Sequence, residues 1–175
     1  CTKNKYVIFH NYMNIKLKNK YLYLDKYKIK CAIGKRGITS RKVEGDKKTP
    51  KGTFEFKSIF YRKDRILKIK SPLKKYIIKK NMGWCDDPTS KFYNQEIKID
   101  KLNDKYENFF RKDLSYNYLI DIDYNKKRPI AYKGSAIFIH ITKNYKKTAG
   151  CIALMEKDFL ILLKLIDNKT KIQIN

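Results

Sequence analysis

The chain has 175 residues, 42% of them hydrophobic and 14% aromatic, which is enough to build a packed core without metal or disulfide staples. With only 7 Gly and 4 Pro it is not a disordered or low-complexity chain, and its length suits a single domain over residues 1–175. The formal charge of +25 predicts attraction to anionic surfaces, but 36 of the 42 basic residues are Lys, spread along the whole length, whereas specific nucleic-acid reading favours the Arg fork.

In chain order, "KYVIFH", "IKLKNKYLYLDKYKIKCAIG", "GTFEFKSIFYR" and "ILKIK" alternate apolar and polar residues or are rich in β-branched and aromatic types, which predicts strands. Between them, residues 35–52 carry Gly37, Gly45, Pro50 and Gly52 among many charges and read as one long loop. A turn-rich stretch, "GWCDDPTSKFYN", holds the single tryptophan, Trp84. "YLIDIDYN" and "SAIFIHI" predict two more strands, the second apolar enough to be central. From Glu156 to Ile166 the period changes: Phe159, Leu160, Leu162, Leu163 and Ile166 follow helical spacing, with Glu156 and Asp158 in the first turn where the helix dipole favours negative charge. "KIQIN" predicts a final strand, so the fold class is mainly β with one substantial helix near the end.

The cysteines Cys1, Cys31, Cys85 and Cys151 form no CxxC pair and have no histidine at zinc spacing, so no structural metal is expected; their three full disulfide pairings stay open. No apolar run reaches the roughly 20 residues of a membrane helix. The chain starts at Cys1 without an initiator Met, as removal of a signal or anchor would leave it. A lipidated Cys1 would have little tether, since an apolar stretch begins at Tyr6.

One strand and one turn carry the chemistry. On "AIFIHI" the side chains of Phe138 and His140 should share one face and those of Ile137, Ile139 and Ile141 the other, so an imidazole projects from a rigid mount, either as a general base or as an ordinary packed histidine. Eleven residues on, Cys151 follows Thr148, Ala149 and Gly150. Thr148 can bond nearby backbone, and Gly150 lets a carbonyl approach a turn whose N–H groups could face an oxyanion. Cys151 reads as a thiol activated by a neighbouring imidazole or as an inert core cysteine. Cys85 is a rival thiol, but the only other histidine is His10, in the expected N-terminal strand.

These residues resemble the YkuD-type L,D-transpeptidases of bacterial peptidoglycan, whose pattern is a strand-borne His, a spacer, then Ser or Thr, one residue, Gly, Cys and an aliphatic residue. His140, Thr148, Gly150, Cys151 and Ile152 fit it, and "KVEGDKKTPKGTFEF", "MGWCDDPTSKFYN" and "KGSAIFIHI" fit in the expected order. The resemblance implies β-sandwich or barrel-like sheets, export to the periplasm or cell envelope, and no metal or cofactor. It also implies an acyl-enzyme formed by Cys151 with His140 as base, and oxyanion donors from Gly150 and Cys151. The implied partners are stem peptides and, through the charge, anionic wall polymers.

Many members have a histidine before the glycine and an arginine two residues after the cysteine, where this chain has Ala149 and Ala153. Other groups must then hold the donor: Trp84, Asp86, Asp87 and Tyr93, unless that stretch is a structural turn, and Arg36, Arg41 and Lys48, unless these are solvated loop charges. Hydrolysis at the same site, as an L,D-carboxypeptidase or endopeptidase, and a noncatalytic basic module that binds wall polymers or nucleic acid are the competing readings.

Overall fold

The computed structural model describes residues 14–101 and 103–175. The strand expected in "KYVIFH", with Cys1 and His10, lies outside the described residues. Alternation in the next stretch produces an antiparallel meander of β1 (Asn14–Lys18), β2 (Tyr21–Leu24) and β3 (Tyr27–Lys30), burying Ile15, Leu17, Leu22, Leu24 and Ile29. Asn19 and Lys20, the two residues of the first turn, have φ of 51° and 62°, as a type I′ turn requires to match the strand twist.

The loop expected over residues 35–52 contains two short strands, β4 (Ile38–Thr39) and β5 (Thr49–Pro50), paired in parallel. β6 (Gly52–Glu55) and β7 (Ser58–Tyr61) follow. The strand expected in "ILKIK" does not form. Arg65 and Ile66 both donate backbone N–H groups to the Arg62 carbonyl, turning the chain, and Leu67 is left 98% exposed. The buried Arg62 guanidinium secures that turn by donating to Asp64 and to the Arg111 carbonyl. Pairing with β7 passes instead to β8 (Lys74–Ile77).

The remaining elements are β9 (Met82–Cys85), β10 (Glu96–Lys98), a 3-10 turn at Ile99–Lys101, β11 (Tyr106–Asn108), β12 (Tyr118–Asp121), β13 (Phe138–Ile141), β14 (Ile152–Leu154), helix α1 (Glu156–Leu165) and β15 (Lys171–Ile174). The opening of the turn-rich tryptophan stretch is thus a strand, and β10 and β11 flank it in a three-stranded sheet. The helix, the final strand and the strands at residues 118–121 and 138–141 fall where the periodicity puts them.

Two five-stranded sheets make the body, in the orders β3-β2-β1-β15-β6 and β14-β13-β12-β7-β8. The second is the middle layer, and period-2 alternation gives each of its faces a different core. Ile59, Ile120, Ile139, Ile141, Ile152 and Leu154 pack with the first sheet and with Phe159, Leu162 and Leu163 of α1. Phe60, Leu119 and Phe138 point the other way, into an aromatic cluster with Trp84, Phe109 and Tyr116, where Cys151 also packs. Ring pairs in this cluster are mostly edge-to-face, such as Trp84–Phe138 at 5.1 Å between centroids, the favourable arrangement for aromatic quadrupoles.

Candidate active site

Strand pairing brings Cys151 and His140 to the lining of one cavity. β13 and β14 run parallel at the edge of the middle sheet, with His140 opposite Ala153 and Ile139 opposite Ile152. Cys151 enters β14 from the turn after Gly150, and its sulfur reaches back to β13, where Phe138 donates its N–H to Sγ at 3.4 Å. The thiol donates in turn to the Ala136 carbonyl at 3.2 Å. Cys151 is 7% exposed, and both it and the half-buried His140 line one cavity of about 840 Å³.

The turn that carries the cysteine is tied on both sides. Thr148 Oγ1 donates to the Cys151 carbonyl at 2.6 Å and accepts the Gly150 N–H at 3.1 Å. Fully buried Thr49 donates to the Gly150 carbonyl at 2.8 Å while accepting the Gly34 N–H. Gly150 has φ of 154°, and a Cβ there would sit 3.0 Å from the Lys48 carbonyl oxygen, so a side chain is excluded by backbone conformation and by contact.

His140 bonds through Nδ1 to the Ile141 carbonyl at 2.9 Å. A carbonyl only accepts, so Nδ1 carries the proton and Nε2 keeps its lone pair. Burial holds the imidazole below its ordinary range, with the Ile141 carbonyl acting in the opposite direction. Tyr116 lies edge-on to the ring at 5.4 Å and donates its hydroxyl to Glu107. Burial pushes the Cys151 thiol up to about 12, and the Glu107 charge adds to the effect, while the Phe138 N–H opposes it. At neutral pH the cavity therefore holds a neutral thiol and a neutral imidazole.

Charges around the cavity are partitioned. Lys143, Lys146 and Lys147 stand on the segment between β13 and β14, and Arg111 is paired with Asp113. Glu44, Asp86 and Glu107 form an acidic part of the lining. Burial raises both Asp86 and Glu107, and the neighbouring Glu44 charge raises each further. Asp86 Oδ1 is buried without a hydrogen-bond partner.

The residues anticipated from sequence are dispersed around this geometry. His140, Cys151, Thr148, Gly150 and Asp86 line the cavity. Trp84, 2% exposed, lies in the aromatic cluster beneath Phe138 and donates Nε1–H to Asn94. Asp87 caps a turn through Thr89 and is outside the lining, as are Arg36, Arg41 and Lys48, whereas their neighbours Lys42 and Lys47 are within it. Tyr93 touches the site indirectly: its hydroxyl donates at 2.5 Å to Glu44 Oε2, which also accepts from Ser135. Cys85 is fully buried, with Sγ 4.0 Å from the Asp87 carbonyl oxygen, and it is not part of the lining. Cys31, Cys85 and Cys151 are free thiols. Glu107, Arg111 and Tyr116 also line the cavity without a sequence motif to mark them; the only hint is a carboxylate set among aromatics in "YENFF".

Among the described residues no helix is long and apolar enough to cross a membrane. The family model for the YkuD L,D-transpeptidase catalytic domain matches residues 10–174. Among solved structures the chain is similar to L,D-transpeptidase 1 of Mycobacterium tuberculosis, with 11% identity over 93% of this chain and 58% of that one and a TM-score of 0.44. It is also similar to the helical cell shape determining protein Pgp2 of Campylobacter jejuni, with 17% identity over 94% of this chain and 47% of that one and a TM-score of 0.49. An L,D-transpeptidase from Mycobacterium smegmatis matches at 11% identity over 93% of this chain and 58% of that one, with a TM-score of 0.42. The chain spans about half the length of the solved structures it matches. Comparison with curated proteins finds no match.

Proposed function

Since this chain belongs to the YkuD family of L,D-transpeptidase catalytic domains, we propose that it is a peptidoglycan L,D-transpeptidase in which Cys151 is the nucleophile and His140 the base. One observation carries the assignment of roles: the thiol and the imidazole project from paired strand ends into the same cavity, with the imidazole proton held on Nδ1 by the Ile141 carbonyl.

Both groups start neutral, so proton transfer accompanies attack. The Cys151 S–H turns from the Ala136 carbonyl toward His140 Nε2 and yields its proton as sulfur bonds to the carbonyl carbon at the L-centre of a donor diamino acid. Collapse of the tetrahedral intermediate breaks the C–N bond, and the imidazolium returns the proton to the departing D-alanine amine. An acceptor amine then attacks the thioester, loses a proton to His140 and releases the thiol as the new amide forms. The Cys151 N–H and the Gly150 N–H serve the oxyanion, the latter by exchanging its bond to Thr148 Oγ1 for the developing charge.

The two-signed lining suits a donor that carries an ammonium and carboxylates. The unpartnered Asp86 oxygen, beside Glu44, would take the side-chain ammonium of the diamino acid, and Arg111 with the Lys143–Lys147 side of the cavity would take carboxylates. Tyr93 acts through Glu44 by fixing its carboxylate. Trp84 supports the floor, and Asp87, Arg36, Arg41 and Lys48, outside the lining, would serve an outer rim. This reading places the protein outside the cytoplasm, on the cell wall, with its basic surface retained by anionic wall polymers.

Intact mass after incubation with a carbapenem-type β-lactam tests it. Wild type should gain one adduct and Cys151→Ala none; an adduct on Cys85 would assign the wrong thiol, and no adduct would favour a binding module. Incubation of a tetrapeptide stem with and without an acceptor amine separates transfer from hydrolysis, and trimmed monomers alone would make the enzyme a carboxypeptidase.

A further inference from the structure

Asn94 stands outside the cavity lining, yet it is joined to the thiol through a single residue, Ala136. Its side chain is buried, with the residue 2% exposed, and the carboxamide uses both ends in full. Oδ1 accepts from Trp84 Nε1 at 2.8 Å and from the Ala136 N–H at 3.0 Å. Nδ2 donates to the Tyr124 and Asn125 carbonyls at 2.9 and 2.7 Å. Asn94 thus pins the segment leading into β13 against β9 and against the turn after β12.

Ala136 has φ of 50°, a left-handed conformation that a residue bearing a Cβ adopts only under constraint. The bond from its N–H to Asn94 supplies one. Its carbonyl is thereby aimed at Cys151 Sγ. Asn94 itself sits at φ of 58°, which asparagine tolerates better than most residues with a side chain.

We infer that Asn94 is a positioning residue for Cys151, acting through the strained Ala136 backbone, which, held at its N–H, directs a carbonyl that parks the thiol in one rotamer until substrate arrives. The inference rests on the proposed role of Cys151 as nucleophile. Removing the carboxamide lets the Ala136 backbone relax, takes the acceptor away from the S–H, and leaves the N–H of Phe138, a residue fixed opposite Asp121 in the β13–β12 pairing, as the remaining partner of sulfur. The thiol then ionises more easily but is less often in line for attack.

Asn94→Asp and Asn94→Ala separate positioning from general support. Asp keeps both acceptor bonds, to Trp84 and Ala136, but sets a buried carboxylate against two carbonyls, so it should be the less stable protein. If positioning runs through Ala136, Asn94→Asp nonetheless acylates within about 5-fold of wild type, whereas Asn94→Ala loses about 30-fold in kcat with KM changed less than 3-fold. Activities that follow the order of thermal stability instead would reduce Asn94 to a structural residue and overturn the inference.

Ala136→Gly, which adds no bulk and relieves the left-handed strain, provides a variant that keeps the fold; it should lose about 5-fold in acylation rate. Iodoacetamide alkylation of Cys151, followed by peptide mass, needs no stem peptide and therefore reads the positioning even if the transpeptidase reading fails. Asn94→Ala and Ala136→Gly should each speed alkylation about 10-fold at pH 8. Unchanged alkylation in both variants would refute the link to the thiol, whatever the enzyme acts on.

Discussion

A thiol moved from its ordinary 9.0 to about 12 has a measurable signature. At pH 7.5 its thiolate population falls about 1,000-fold below that of an unperturbed cysteine, a difference of about 4 kcal/mol between protonation states. Alkylation by iodoacetamide, which requires thiolate, should therefore be about 1,000-fold slower at Cys151 than at an exposed cysteine. It should climb roughly tenfold per pH unit to pH 10 without a plateau. Acylation by a carbapenem should behave differently under the proposed mechanism, in which His140 removes the proton during attack: its rate should level off near neutral pH, above the lowered imidazole range. His140→Ala should reduce acylation by about 10²–10⁴-fold and scarcely alter the alkylation profile. An alkylation inflection below pH 9, abolished by His140→Ala, would mean a preformed thiolate–imidazolium pair and would refute the neutral-pair mechanism.

Glu107→Gln should stabilise the protein at pH 7 by about 2–4 °C in melting temperature, the effect of roughly 1 kcal/mol in a chain of this size. Burial raises the folded-state pKa of Glu107 above its ordinary 4.5, so the carboxyl supports the fold at low pH and that support is lost as pH rises through its folded pKa. The gain from Gln should accordingly vanish below about pH 4, and a constant gain across pH, followed by calorimetry, would contradict the assignment. Asp86→Asn should raise KM for a diamino-acid donor about 10-fold while leaving carbapenem acylation within 2-fold, as steady-state and mass assays can show. Thr49→Val, nearly isosteric, strands the Gly34 N–H and the Gly150 carbonyl and should cost about 2–3 kcal/mol by denaturant unfolding.

Periodicity made much of the scaffold legible. NIKLK, YLYL and YKIK alternate as their burial does, and the helix from Glu156 buries Phe159, Leu162 and Leu163 as spaced. "ILKIK" alternates equally well but fails as a strand because the buried Arg62 guanidinium, tied to exposed Asp64 and to the Arg111 carbonyl, bends the chain just before it, and the contact to Arg111 is a long-range arrangement that no local pattern records. His140 and Cys151 could be nominated from residue type and spacing, yet their shared cavity depends on the parallel pairing of β13 with β14. Glu107 and Tyr116 reach the site only through the pairing of β11 with β9 and the packing of Phe109, so "YENFF" offers no more than a carboxylate among aromatics. Asn94 was invisible for the same reason, since its partners at Ala136 and Tyr124 are distant in the chain.

The place of β15 bears on how the molecule comes into being. This strand lies between β1 and β6, with Asn14 opposite Lys171 and Lys171 opposite Glu55, so the first sheet has no continuous hydrogen-bonded path until residue 174 is available. A nascent chain stalled before Lys171 would hold the meander and β6 apart, each with an open edge ready to pair wrongly. Completion of the sheet is thus a late, all-or-nothing event, and deleting residues 171–174 should leave an assembly-incompetent chain rather than a slightly weakened one.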